Sequence, residues 1–254
     1  MSTPTPLLDF FKRGEVPRDV RLLAAQGALA PRAIDQLALL LVLVDDGDAE
    51  VARSAAATID RLPPKALEAF LAKPDVSSEM REFFAARGIR PAGAPPHDDE
   101  PLIDDGQGEV AEAPPDETEM GTTQRLAAMN VMQRIKVAMR GRREERSILI
   151  RDPNRLVSVA VLSSPKVTEA EIESFAKMAN VSEEVLRVIG MNRTWTKNYG
   201  VIAGLVRNPK TPIAISLTLL QRVNDKDVRM LATDRNIPEP IRLAARKRAA
   251  ASRT

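Results

Sequence analysis

Catalysis needs nucleophiles, proton carriers or metal ligands at workable spacings, and this sequence of 254 residues offers few of them. It has no cysteine and a single histidine, His97. The lack of cysteine excludes disulfides, thiolate metal sites and cysteine nucleophiles. His97 stands among acids, prolines and glycines, where a histidine-dependent triad would have to be built on a segment unable to hold its geometry. A solvated imidazole is the plainer reading. Gly106-Gln107-Gly108 has neither phosphate-binding spacing nor a flanking strand or helix. Asp45-Asp46-Gly47-Asp48 carries too few spaced ligands for a calcium loop and reads as a turn with a helix cap. Carboxylates converging in a cleft are the one catalytic arrangement left, and no spacing marks such a pair. The sequence predicts no enzyme, no cofactor and no metal site.

Two constellations suit binding better. Arg134, Lys136, Arg140, Arg142, Arg143, Arg146, Arg151 and Arg155 crowd into one short stretch. Gly141 separates two helices there, and Arg142, Arg143 and Arg146 have spacings that can share a helical face. Such a cluster can neutralise phosphates with release of counterions. It can equally be a solvated face partly paired with Glu144 and Glu145, or charge used for a protein partner. An anionic membrane fits less well, because no large aromatic anchors flank the cluster. The second constellation holds the only tryptophan and the only tyrosine, Trp195 and Tyr199. One helical turn apart, they share a face. With Arg193, Lys197 and Asn198 they make a candidate patch for an acidic peptide or a stacked base. Large rings also fill cores between packed helices, and the sequence leaves both readings open.

The elements that must carry these residues are helical. Apolar residues make up 44% of the chain and aromatics only 3%, so the core is Leu, Val, Ile and Ala. Val and Ile are not confined to alternating runs, which favours helix on helix over a sheet. The longest apolar run, Leu37–Val44, is far short of a membrane span. The N-terminus lacks the basic and apolar regions of a secretory signal. A soluble cytoplasmic protein is therefore expected.

Charge divides the chain into three. Residues 1–90 carry −1, residues 91–124 carry −10 and residues 125–254 carry +13. Residues 1–90 predict five helices of roughly ten to fourteen residues with short connections, capped at Asp48 and at Ser77 or Ser78 and allowing starts at Pro17, Pro31 and Pro64. The stretch Pro31–Val44 is apolar on nearly every side after Gln36, the pattern of a central, buried helix. Residues 91–123 hold acids, prolines and glycines but little that can be buried, and read as a disordered, self-repelling linker. Leu102-Ile103 is its one apolar island, there by chance or as a short docking motif.

Residues 124–254 contain an internal repeat. With position 149 laid on position 205, Leu149-Ile-Arg-Asp-Pro-Asn-Arg-Leu-Val157 matches Leu205-Val-Arg-Asn-Pro-Lys-Thr-Pro-Ile213. The same offset places Ile172, Phe175 and Ala176 on Val228, Leu231 and Ala232, and Asn180-Val-Ser-Glu183 on Asn236-Ile-Pro-Glu239. Thr168 with Glu171 has capping-box spacing, and Asn224 with Asp227 repeats it with a shorter acid. Each unit reads as two helix pairs. A single pair cannot bury its apolar face, but stacked pairs can.

These patterns, together with Arg229-Met-Leu-Ala-Thr-Asp234 and Asp48-Ala-Glu-Val-Ala-Arg-Ser-Ala-Ala-Ala57, resemble HEAT-like repeats and the bacterial leucine-rich-repeat variant. Both are α-solenoids, an architecture without a fixed activity. The iron–sulfur cluster of one variant family sits on a Cys-rich segment that this chain lacks. The expectation is an all-α protein of two short α-solenoid, ARM/HEAT-like lobes, 1–90 and 124–254, joined by an acidic linker at 91–123. Its expected work is non-catalytic scaffolding of a protein partner. The alternative is nucleic-acid binding by the basic C-terminal lobe, modulated by the acidic linker.

Overall fold

The computed structural model describes residues 5–96, 99–103 and 119–251. His97, the Gly106-Gln107-Gly108 stretch and most of the acids of the expected linker lie outside them. The described residues form sixteen α-helices, one 3-10 turn and no strand. Among them, no helix is long and apolar enough to cross a membrane. They group into two compact units, Met1–Arg142 with Ser163–Pro165, and Arg143–Leu162 with Lys166–Thr254. The division falls at Arg142/Arg143, well beyond the boundary drawn from charge.

The first unit holds α1 (Pro6–Lys12), α2 (Arg18–Ala25), α3 (Ala33–Leu43), α4 (Ala49–Asp60), α5 (Pro64–Leu71), α6 (Ser78–Ala85), α7 (Glu119–Ala128) and α8 (Val131–Arg140). The described residues 5–90 thus form six helices where the sequence predicts five. They are shorter than periodicity suggests, because Pro63-Pro64 and Pro74 interrupt the apolar pattern and start new turns. Local signals set several ends. Asp48 accepts from the backbone N–H groups of Glu50 and Val51, and Ser77 accepts from Met80. Each satisfies donors that the first helical turn leaves open. Arg81 ties the α5–α6 corner, donating to the carbonyls of Leu71 at 3.1 Å and Lys73 at 2.6 Å.

Helix α3 is central and packs on α1, α2 and α4. Leu37, Leu39, Leu40 and Leu43 are fully buried on it, each contributing about 1.5–3 kcal/mol of transfer free energy. Contrary to the all-round burial expected, one face stays partly open: Ile34, Ala38, Leu41 and Val42 are only half-buried.

The second unit holds α9 (Arg143–Leu149), α10 (Arg155–Leu162), α11 (Glu169–Lys177), α12 (Glu183–Met191), the 3-10 turn Trp195–Lys197, α13 (Tyr199–Arg207), α14 (Ile213–Leu220), α15 (Asp225–Leu231) and α16 (Glu239–Ala251). Successive helices pair as α9 with α10, α11 with α12, α13 with α14 and α15 with α16. Alternate helices also pack side by side: α11 on α13, and α10 on α12, α12 on α14, α14 on α16. Four helices begin at 143, 155, 169 and 183, and the next four at 199, 213, 225 and 239. Gly204 permits the close approach of α13 to α11, since a Cβ there would stand 3.1 Å from Lys177 Cγ and 3.3 Å from Ala176 Cβ.

Candidate interaction surfaces

The basic cluster is divided by the fold. Arg140, at the end of α8, and the exposed Arg142 belong to the first unit; Arg143 and Arg146, on α9, belong to the second. Arg143 is exposed. Arg146 is not a surface residue: it is 4% exposed and grips Glu171, which is 3% exposed. Its Nε donates to Oε1 at 3.0 Å and its Nη2 to Oε2 at 3.0 Å, and Nη2 also donates to the Lys166 carbonyl at 3.1 Å. Of the expected set, Arg146 is therefore spent on internal structure, because it projects from α9 onto the first turn of α11 rather than toward solvent. Glu171 also closes the capping box, accepting from the Thr168 N–H at 3.0 Å while Thr168 Oγ1 accepts from the Glu171 N–H at 3.3 Å. Burial pushes the Glu171 carboxyl up, but Arg146 and Thr168 outweigh it and hold it below the usual carboxylate range.

The Trp195–Tyr199 pair does not share a helical face. Trp195 and Lys197 lie in the 3-10 turn, and the chain opens to extended backbone at Asn198, which caps α13 by accepting from the Gly200 N–H at 2.8 Å. Asn192 closes the turn from the other side, accepting from the N–H groups of Thr194 at 2.9 Å and Trp195 at 3.2 Å. Two closely spaced Asx caps thus break the single helix that a shared face presumes. Trp195 is half-buried, whereas Arg193, Lys197 and Tyr199 are exposed. The Tyr199 hydroxyl donates to Asp227 Oδ2 and accepts from the Asn224 N–H at 3.3 Å. Arg207 Nη2 lies 2.6 Å from Asp227 Oδ1. Desolvation, helped by Asp227, raises the Tyr199 hydroxyl above the ordinary phenol value. The Tyr199 hydrogen bond and Arg207 hold Asp227 below its usual range. Tyr199 thus works as a tie between α13 and α15.

The open face of α3 forms the floor of a groove of about 410 Å³ in the first unit. Ile34, Ala38, Leu41 and Val42 come from α3, Leu8 from α1 and Met80 from α6. Asp45, Asp75 and Glu79 stand exposed around it, against one basic residue, Lys12. Asp35 also lines it and is 1% exposed. Burial raises the Asp35 carboxyl above its usual range, against the pull of Arg32, whose Nε donates at 2.7 Å; Asp99 pushes it further up. Sequence reading misses this groove. Its signal is present, because α3 is more apolar than its buried side requires, but the covering elements are distant in sequence.

The second unit carries its own exposed apolar residues: Met191 on α12, Ile213 and Leu217 on α14, and Leu243 on α16. These three helices lie side by side. Among the described residues, no three His, Cys, Asp or Glu side chains converge as a metal site. No family model matches the chain, and no curated protein or solved structure matches it either.

Proposed function

We propose that this chain is a non-catalytic interaction module that holds a protein partner on a helical-repeat surface of the α-solenoid, ARM/HEAT-like kind. The observation that carries the reading is the groove over α3. Its floor is apolar and its rim bears three exposed acids, a surface suited to a polypeptide and repellent to phosphate. The repeat reading is supported by the side-by-side packing of alternate helices. It is supported too by helix starts at 143, 169 and 183 that recur at one common offset, at 199, 225 and 239. A cysteine-free chain fits the reducing cytoplasm. Nucleic-acid binding by the second unit is the second reading, favoured by the exposed Arg143, Arg193 and Lys197.

The test is affinity capture on the whole protein and on an Ala38→Glu variant, each with and without nuclease. A bound polypeptide that survives nuclease and is lost with Ala38→Glu is the expected result. Material that disappears with nuclease and ignores the substitution would favour the nucleic-acid reading.

A further inference from the structure

Helix α3 starts without a side-chain cap. Arg32 stands at its N-cap position with extended backbone, and its guanidinium, which has no acceptor, makes no cap hydrogen bond. The first helical N–H, that of Ala33, donates instead to the carbonyl of Asp99 at 3.2 Å. One turn further, Gln36 is 1% exposed. Its Oε1 accepts from the backbone N–H groups of Leu102 at 2.9 Å and Ile103 at 3.2 Å. Its Nε2 donates to the carbonyls of Ile103 at 3.0 Å and Gly27 at 2.8 Å. Lys73 Nζ lies 3.6 Å from the Asp99 carboxylate. The residues the composition marks as linker are, over 99–103, seated on the first unit.

A buried primary amide here pairs with a peptide backbone much as a neighbouring strand would, satisfying two donors and an acceptor of the segment. Gly27 makes room for it. Its φ is +82°, and a Cβ there would stand 3.3 Å from Gln36 Nε2 and 3.7 Å from Ile103 Cβ. A glutamine in an otherwise apolar central helix costs stability unless its amide is satisfied. Most of its hydrogen bonds are made to a segment 66 and 67 residues away. Because the contacts go to main chain, they read an extended conformation. The side-chain requirements are an acid for Lys73 and aliphatic residues at the positions of Leu102 and Ile103, both half-buried.

We propose that this clamp is a peptide-binding site for extended segments carrying an acid and, spaced as in Asp99, Leu102 and Ile103, two aliphatic residues after it. Asp99–Ile103 is its occupant in cis, and a partner protein's segment of the same pattern displaces it. The inference rests on Gln36, on the side of α3 away from the groove floor of Ile34, Ala38, Leu41 and Val42; the one link between the two is Asp99, which acts on Asp35 in the groove lining. A tethered occupant has an effective concentration on the order of millimolar, so an isolated peptide gains access when the cis segment is weakened or outnumbered.

The experiment uses full-length protein and a capped, fluorescent peptide of sequence Asp-Glu-Pro-Leu-Ile. A variant with Asp99→Ala, Leu102→Ser and Ile103→Ser should bind it at least tenfold more tightly than the unaltered chain. Adding Gln36→Leu to that variant should reduce binding at least tenfold. In the unaltered chain, several millimolar peptide should increase hydrogen exchange at the Leu102 and Ile103 amides, a readout that needs no variant to fold. Absence of binding to the opened variant, binding indifferent to Gln36→Leu, or unchanged exchange in the unaltered chain overturns the proposal.

Discussion

Within the second unit, the same local problem is solved twice with different chemistry. Glu171 and Asp227 both occupy the third position of a helix whose N-cap accepts from their backbone N–H, Thr168 for α11 and Asn224 for α15. Each acid is also held by an arginine from the α-helix two places earlier in the chain: Arg146 on α9, Arg207 on α13. The glutamate is long enough to return to the Thr168 N–H while its carboxylate stays buried against Arg146. The aspartate is one methylene shorter and turns to Tyr199 and Arg207 instead, and the Asn224 N–H is taken by the Tyr199 hydroxyl. The first pair is buried and the second lies nearer the surface, with Arg207 44% exposed at its side chain. The difference teaches that equivalent positions in a repeated pattern can match in geometry and still differ greatly in energetic weight.

The largest expected effect follows from burial. Glu171→Gln leaves the Arg146 charge in the interior without its carboxylate, a change that costs about 3–5 kcal/mol, to be read from denaturant unfolding of the second unit. Asp227→Asn should cost no more than about 1 kcal/mol, because the arginine it releases reaches water. Equal losses would break the comparison. Replacing both Arg146 and Glu171 by Met should destabilise less than Glu171→Gln alone, since no buried charge is left behind.

Acid bears on both ties in the same direction. Both carboxyls sit below their ordinary range in the folded state. Their contributions are therefore present above the ordinary carboxylate values, near about 4, and are lost as pH falls through the lower folded values. Glu171→Gln and Asp227→Asn should each flatten this acid limb of stability, read from denaturant unfolding as a function of pH. The smallest effect is spectroscopic. Tyr199 is the only tyrosine, so its ultraviolet titration is unambiguous. It should ionise above the ordinary phenol value of 10.0, and Asp227→Asn should move it down while burial keeps some of the upward shift. Because the folded value is raised, the tie stabilises below the ordinary phenol value and is lost as pH rises through the folded one.

What can be read from the sequence is local. The caps at Asp48, Ser77, Thr168 and Asn224 depend on near neighbours in the chain, and the structure places them at helix starts. The Asp152-Pro153 and Asn208-Pro209 breaks likewise fall between helices, and both Asx side chains accept from the N–H two positions on, at 2.8 Å and 3.1 Å. Arg146 defeats sequence reading because its partner lies 25 residues away, and helical spacing alone puts it on the same face as exposed neighbours. The Trp195–Tyr199 face fails because Asn198, which looks like a patch residue, and Asn192 before it act as caps that interrupt the helix. Gln36 is visible as the last polar residue before an apolar run, but its partner cannot be read without the fold. The Leu102-Ile103 island carries a docking alternative in the sequence; in the structure its backbone N–H groups donate to Gln36 of the same chain, a pairing that sequence spacing does not announce.

Site-specific photocrosslinking addresses the central claim most directly. A benzophenone amino acid at position 38, in the floor of the α3 groove, is compared with one at position 193, on the exposed basic turn of the second unit. A nuclease-resistant polypeptide adduct from position 38, and none of comparable yield from position 193, is the expected result. Adducts from position 193 that nuclease removes, with position 38 silent, would contradict protein binding at the groove.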